Sequence, residues 1–86
     1  KEIENISNKL KEVNESRAII VKKEKFKYLT LCITAKNRNV VTKIKNKLLD
    51  ELPSYSIPKK IIFFKSFPKN TNNKIDIKRL NILAKR

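Results

Sequence analysis

Glycine and histidine do not occur in the 86 residues, and there is one cysteine, no methionine and no tryptophan. Each absence closes a class of chemistry. Without histidine the commonest general base and imidazole ligand is missing. With a single cysteine besides, no donor set for a zinc site remains, and no metal ligands are assigned. Without glycine the chain cannot hold a complete phosphate-cradling loop of the P-loop or dinucleotide type. One cysteine cannot close an internal disulfide, which fits a reducing, cytoplasmic setting. No apolar run approaches the length of a membrane span and no signal-peptide pattern opens the chain, so no membrane contact is expected. Whatever chemistry the chain performs must use Lys, Asp, Glu, hydroxyl or backbone groups.

Acidic residues are also scarce. Lys and Arg number 22 against 8 Asp and Glu, a formal charge of +14. Such a balance attracts phosphate backbones. Yet 18 of the basic residues are lysines and 4 are arginines, with ten asparagines alongside. That is the composition an AT-rich genome writes onto solvated faces, whereas nucleic-acid sites favour arginine for its bidentate contacts. The chain is one domain, and at 40% hydrophobic residues it is globular with a modest core.

The hydrophobic pattern gives the element order. Ile3, Ile6, Leu10 and Val13 form an apolar stripe that predicts a helix of about three turns, closed near Asn14. Glu2 and Glu4 read as charges at its start. Ala18-Ile19-Ile20-Val21 reads as a buried strand, Lys22 to Lys25 as a turn, and Leu29, Leu31 and Ile33 as one face of a second strand. The two strands should pair as an antiparallel hairpin, with Cys32 a small packing residue on it. Val40, Val41, Ile44, Leu48, Leu49 and Leu52 define a second amphipathic helix, which Pro53 stops. Ser54 to Pro58 is an ordered connector. Ile61-Ile62-Phe63-Phe64 is a third strand, expected to return to the same sheet by a right-handed crossover. Asp76 is placed to cap a last helix carrying Ile77, Leu80, Leu83 and Ala84. The fold class is therefore α+β, a small three-stranded sheet covered by helices in the order α-β-β-α-β-α. Tyr55, Phe63, Phe64 and Phe67 read as packing aromatics, and Asp50 and Glu51 as partners for neighbouring lysines.

Two segments in fixed order carry a family resemblance. Leu52-Pro53-x-Tyr55-x-Ile57-Pro58 precedes an apolar strand, and Phe67-Pro68, Thr71-Asn72-Asn73-Lys74-Ile75-Asp76 and Leu80 follow it. This resembles the C-terminal pattern of the adenylate-forming superfamily: Leu-Pro-x-Tyr-Met-(Ile/Val)-Pro, a strand, then Pro-x-Thr-x-Asn-Gly-Lys-(Ile/Val)-Asp-Arg-x-x-Leu. The superfamily includes acyl-CoA synthetases, adenylation domains of nonribosomal peptide synthetases and D-alanine–carrier-protein ligases. Glu2-Ile3-Glu4 with Ile6 and Leu10 resembles the helix that follows the family's hinge, so the likeness spans nearly the whole chain. Its style is nearer the amino-acid-activating branch. Asn73 stands in place of the usual glycine, Ser56 in place of methionine and Ile77 in place of arginine. Asparagine is the next-best residue for a left-handed turn.

The resemblance implies that residues 1–86 are the C-terminal lid domain, without the hinge and the large N-terminal domain, and that this piece would not act alone. It implies a ligase that activates a carboxylic acid with ATP and Mg²⁺, held chiefly by the absent domain. The acyl group would pass to a phosphopantetheine thiol of a carrier protein or to coenzyme A. Lys74 would be the adenylation lysine, with Asn73 and Asp76 shaping its loop. The chemistry suits an ammonium. Carboxylate and α-phosphate are both anionic, and a cation between them offsets their repulsion and orients both. Two rivals use the same charge. A nucleic-acid-binding module lacks a KH-type glycine loop and RNA-recognition aromatics here, so nucleic acid is not the expected partner. A stand-alone module that docks an acidic carrier protein is the other.

Overall fold

The computed structural model describes residues 2–85, the side chain of Glu2 excepted. The expectation for Glu2 as a helix-terminus charge thus lies outside the described side chains. The elements run α1 (Glu2–Asn8), β1 (Val13–Lys23), β2 (Phe26–Ala35), α2 (Val40–Glu51), a 3₁₀ turn (Ser54–Ser56), β3 (Lys60–Phe64) and α3 (Ile77–Ala84). The class and the order α-β-β-α-β-α are as the sequence predicts.

β2 is the central strand, antiparallel to β1 and parallel to β3. Its alternation sorts side chains onto two faces, and both are covered. Leu31, Ile33 and Ala35 meet Ile3 and Ile6 of α1 and Val40, Ile44 and Leu48 of α2. Cys32 on the other face joins Ile19, Val21, Phe67 and, from α3, Leu80 and Ala84. Thr30 through Ala35 are consequently all buried, polar members included. The domain has two small cores on a shared sheet, the second closed by α3 together with Phe67.

Several local expectations are corrected. The first helix ends at Asn8 and not near Asn14. The Ser7 hydroxyl donates back to the carbonyls of Ile3 and Glu4, and Lys9, Leu10 and Val13 then close i→i−3 turns. Leu10 and Val13 still pack on the first core, so the apolar stripe is real while its C-terminal half is not helical. β1 is longer than the four apolar residues mark, and a register shift between Val13 and Glu15 leaves Asn14 unpaired as a bulge. Ile20 is exposed and not buried, outside the cluster that α1 and α2 form on the sheet. Leu49 faces solvent beside the buried Leu48. Tyr55, expected to pack, is 88% exposed. The 3₁₀ turn that holds it buries none of its own residues.

The hairpin turn of Glu24 and Lys25 places Glu24 at φ 57°, a left-handed conformation taken without glycine. Glu4 clamps α1 onto the sheet, its carboxylate accepting from the Ala18 N–H at 2.7 Å. Glu51 pairs with Lys47 one turn earlier, as its place on a solvated helix face implies.

Candidate functional site

The segment between β3 and α3 is built from two anchored stems and an exposed tip. Phe67 is 3% exposed in the second core and meets Phe64 edge to face, with ring centroids 5.7 Å apart. Ile75 is half-buried against the same cluster. Between these stems Lys69 and Ile75 form an antiparallel bridge, and the Asp76 N–H donates to the Pro68 carbonyl at 2.9 Å. The loop is thus a miniature hairpin standing on the core that α3 closes.

Lys74 stands at its rim and is exposed. Among the described residues the ion pairs are Glu12–Lys43, Glu51–Lys47 and Glu15–Lys69, so Lys74 is in none of them. Asn73 before it has φ 63°. The left-handed turn expected of glycine survives with asparagine, the non-glycine residue that adopts it at least cost. Asp76 caps α3: its carboxylate accepts from the Arg79 N–H at 3.0 Å and its carbonyl from the Leu80 N–H at 2.9 Å. The three residues singled out from the sequence therefore lie on one loop, with Asn73 setting the turn, Lys74 presented to solvent and Asp76 fixing the helix behind it.

Two features escaped the sequence reading. Asn70 makes four bonds across the loop. Its side-chain oxygen accepts from the N–H groups of Asn72 at 2.9 Å and Lys74 at 3.1 Å. Its own N–H donates to the Lys74 carbonyl at 2.8 Å, and its carbonyl accepts from Asn73 at 3.0 Å. The signal was present, since an asparagine that bonds the backbone two residues on is a turn device. The threonine of the family pattern moreover falls on position 70, so Asn70 and Asn73 are paired departures. The second feature is Lys69, whose ammonium meets the Glu15 carboxylate at 2.9 Å and ties the loop to β1. A partner 54 residues away leaves no local trace.

Cys32 is buried, and burial pushes its thiol from 9.0 up to about 11, so it is an inert packing group. The described residues hold no cluster of three or more His, Cys, Asp or Glu that could take a metal ion. No described helix is long and apolar enough to cross a membrane. An open cleft of about 510 Å³ runs along the free edge of β3, lined by Arg38, Asn39, Thr42 and Phe63 among others. Arg38 sits 5.8 Å from the Phe63 ring centroid there. The lining holds no carboxylate, lysine or thiol, so the Thr42 hydroxyl there has no neighbouring base to activate it.

Residues 2–74 match the family model described as the AMP-binding enzyme C-terminal domain, the match ending on Lys74. The D-alanine–D-alanyl carrier protein ligase of Listeria monocytogenes is 38% identical over 90 residues, covering 93% of this chain and 18% of that protein. A nonribosomal peptide synthetase of Emericella nidulans is 44% identical over 47 residues, 55% of this chain and 1% of its own length. Among solved structures, ATP-bound MatB from Rhodopseudomonas palustris superposes with a TM-score of 0.83 at 26% identity, over 98% of this chain and 17% of that one. The Mycobacterium tuberculosis fatty acyl CoA synthetase gives 0.79 at 28%, over 95% and 17%. The chain thus spans under a fifth of the length of these ligases and synthetases. It belongs to the AMP-binding enzyme C-terminal domain family.

Proposed function

We propose that this C-terminal domain supplies Lys74 to the adenylation step of a ligase that activates a carboxylic acid, most simply an amino acid, and hands it to a phosphopantetheine thiol. The observation that carries the reading is the presentation of Lys74: an exposed ammonium in no ion pair among the described residues, on a loop braced from behind by a capped helix and a buried aromatic stem. The rest of the loop is built so that the ammonium is its accessible charge. Lys69 is occupied by Glu15, and Asp76 is turned to its own helix.

The reaction asks one thing of this residue. Attack of a carboxylate on the α-phosphate of ATP brings two anions together, and negative charge grows on the phosphate oxygens in the transition state. An ammonium delivered into that gap orients both groups and stabilises the developing charge, and loss of such a contact costs roughly 10²–10³ in rate. Lysine suits delivery from a separate domain, because a flexible stem carries a compact charge with several donors. ATP and Mg²⁺ would be held by the partner N-terminal adenylation domain. Mg²⁺ would there neutralise phosphate charge. Withdrawal of the small domain would then free the adenylate for the thiol. Matches to carrier-protein ligases favour a carrier protein over coenzyme A as acceptor, and a basic surface of net charge +14 would complement an acidic one.

The test is pyrophosphate exchange by the full-length protein that bears this domain. Lys74→Ala should lower exchange by about 10²–10³-fold while thioester formation from a supplied adenylate stays near normal. Normal exchange by the variant would refute the assignment.

A further inference from the structure

Resting on the role proposed for Lys74, we infer that Asn70 is the positioning residue of the adenylation loop. It takes over the shaping of a turn that glycine would otherwise make, and it holds the Lys74 backbone where the ammonium is presented.

The inference follows from how the loop is bonded. Four residues at its tip, Thr71 to Lys74, are exposed and contribute nothing to either core. Hydrophobic burial therefore cannot order them. What orders them is Asn70, which bonds both backbone groups of Lys74: its side-chain oxygen receives the Lys74 N–H at 3.1 Å and its N–H reaches the Lys74 carbonyl at 2.8 Å. The same oxygen takes the Asn72 N–H at 2.9 Å, and the Asn70 carbonyl takes the Asn73 N–H at 3.0 Å. Every N–H from Asn72 to Lys74 thus terminates on Asn70. These bonds close around Asn73, the residue forced to φ 63°. The side chain supplies two of the four bonds, so a substitution that keeps the backbone bonds removes half of the set. A shift of about 1 Å at a reacting group can cost 10²-fold in rate, so a loop held by a few exposed bonds is sensitive to losing two.

Asn70 touches neither nucleotide nor acid in this account, and it lies outside both cores. Its removal should lower the adenylation rate sharply while the melting temperature of the full-length protein falls by no more than a few degrees. Three full-length proteins are compared: Asn70→Ala, Asn70→Thr and Lys74→Ala. Threonine keeps an oxygen acceptor that makes the same turn more weakly and adds no charge beside Lys74. Asn70→Ala should lower kcat for pyrophosphate exchange by about 10- to 100-fold, with KM values and thioester formation from supplied adenylate held and the melting temperature within a few degrees of the parent's. Asn70→Thr should recover most of the loss. In the Asn70→Ala protein the amides of Asn72 and Lys74 should exchange with solvent faster. If Lys74→Ala cripples exchange while Asn70→Ala leaves it normal, the positioning role falls and the lysine assignment stands. If Asn70→Ala lowers both half-reactions along with the melting temperature, Asn70 is only a structural residue and the inference is overturned. Normal exchange by Lys74→Ala would overturn the adenylation reading and, with it, the purpose assigned to Asn70.

Discussion

Replacement of Asp76 by alanine separates a capping residue from a catalytic one. In the fold Asp76 gives one side-chain bond, accepting the Arg79 N–H at 3.0 Å at the start of an eight-residue helix. Such a helix is marginal on its own and depends on its ends and its packing. Alanine leaves the Arg79 N–H to water, and loss of a cap of this kind costs about 0.5–2 kcal/mol. In a domain of 60–100 residues each 1 kcal/mol moves the melting temperature by about 4–8 °C, so Asp76→Ala should melt about 4–8 °C lower for a mid-range cap loss of about 1 kcal/mol. Asn keeps the acceptor and loses only the charge at the helix N-terminus, about 0.3–1 kcal/mol at an exposed site. The order of melting temperatures should be Asp, then Asn, then Ala, measured by circular dichroism on the 86-residue chain. An alanine variant as stable as the asparagine variant would refute the cap. In the full-length protein, the adenylation proposed for it should stay near normal with Asp76→Asn. If it fails while the melting temperature holds, Asp76 touches a substrate.

Two further perturbations probe the core beneath the loop. Leu80 is fully buried under the second core while Ile82 on the same helix is 56% exposed. Leu80→Ala should cost about 2–5 kcal/mol and Ile82→Ala no more than about 0.5 kcal/mol in urea denaturation; equal effects would show that α3 does not dock as described. Cys32 gives a pH signature, because burial raises its thiol from 9.0 to about 11. Between those values the unfolded thiol ionises and the folded one does not, so the unfolded state binds fewer protons and stability falls as pH rises through the window. Lysines titrate there too, so the measurement is the difference in slope between the native chain and Cys32→Ala. Identical slopes would mean that the thiol reaches solvent.

How far the sequence was legible depended on whether a residue's partner was near it in the chain. The strand β2, the stop at Pro53, the cap at Asp76 and the loop with Lys74 are local signals, and each is where the residues place it. The first helix was overdrawn because periodicity sees Leu10 and Val13 as part of a stripe. It cannot see the Ser7 hydroxyl bonding backwards or β1 claiming Val13 for the sheet. Ile20 and Leu49 read as inward from their apolar type alone, yet both are more than half exposed. Tyr55 was assigned to packing on its residue type, and its 3₁₀ turn carries it outward instead. Glu15 with Lys69 and Glu4 with the Ala18 amide are tertiary pairings that no local pattern announces.

A loop without glycine is the harder case, and the magnitudes account for it. A left-handed conformation costs an ordinary L-residue about 1–2 kcal/mol, and asparagine less. A net intramolecular hydrogen bond is worth about 0.5–1.5 kcal/mol, nearer the lower figure when exposed. The two side-chain bonds from Asn70 are therefore of the size needed to offset Asn73 at φ 63°. Asparagine at 73 also has fewer unfolded conformations to lose than glycine would, a gain of the order of 0.4–1 kcal/mol at compatible positions. The exchange of glycine for asparagine is thus close to neutral for stability. Its consequence lies in stiffness. A glycine tip could move Lys74 by rotating freely about one residue, whereas here the Lys74 backbone moves only if its bonds to Asn70 break. Adjustment of the ammonium must then come from the lysine side chain or from motion of the whole domain. That division fits the role proposed for Lys74, in which the ammonium's place is set by how one domain meets another.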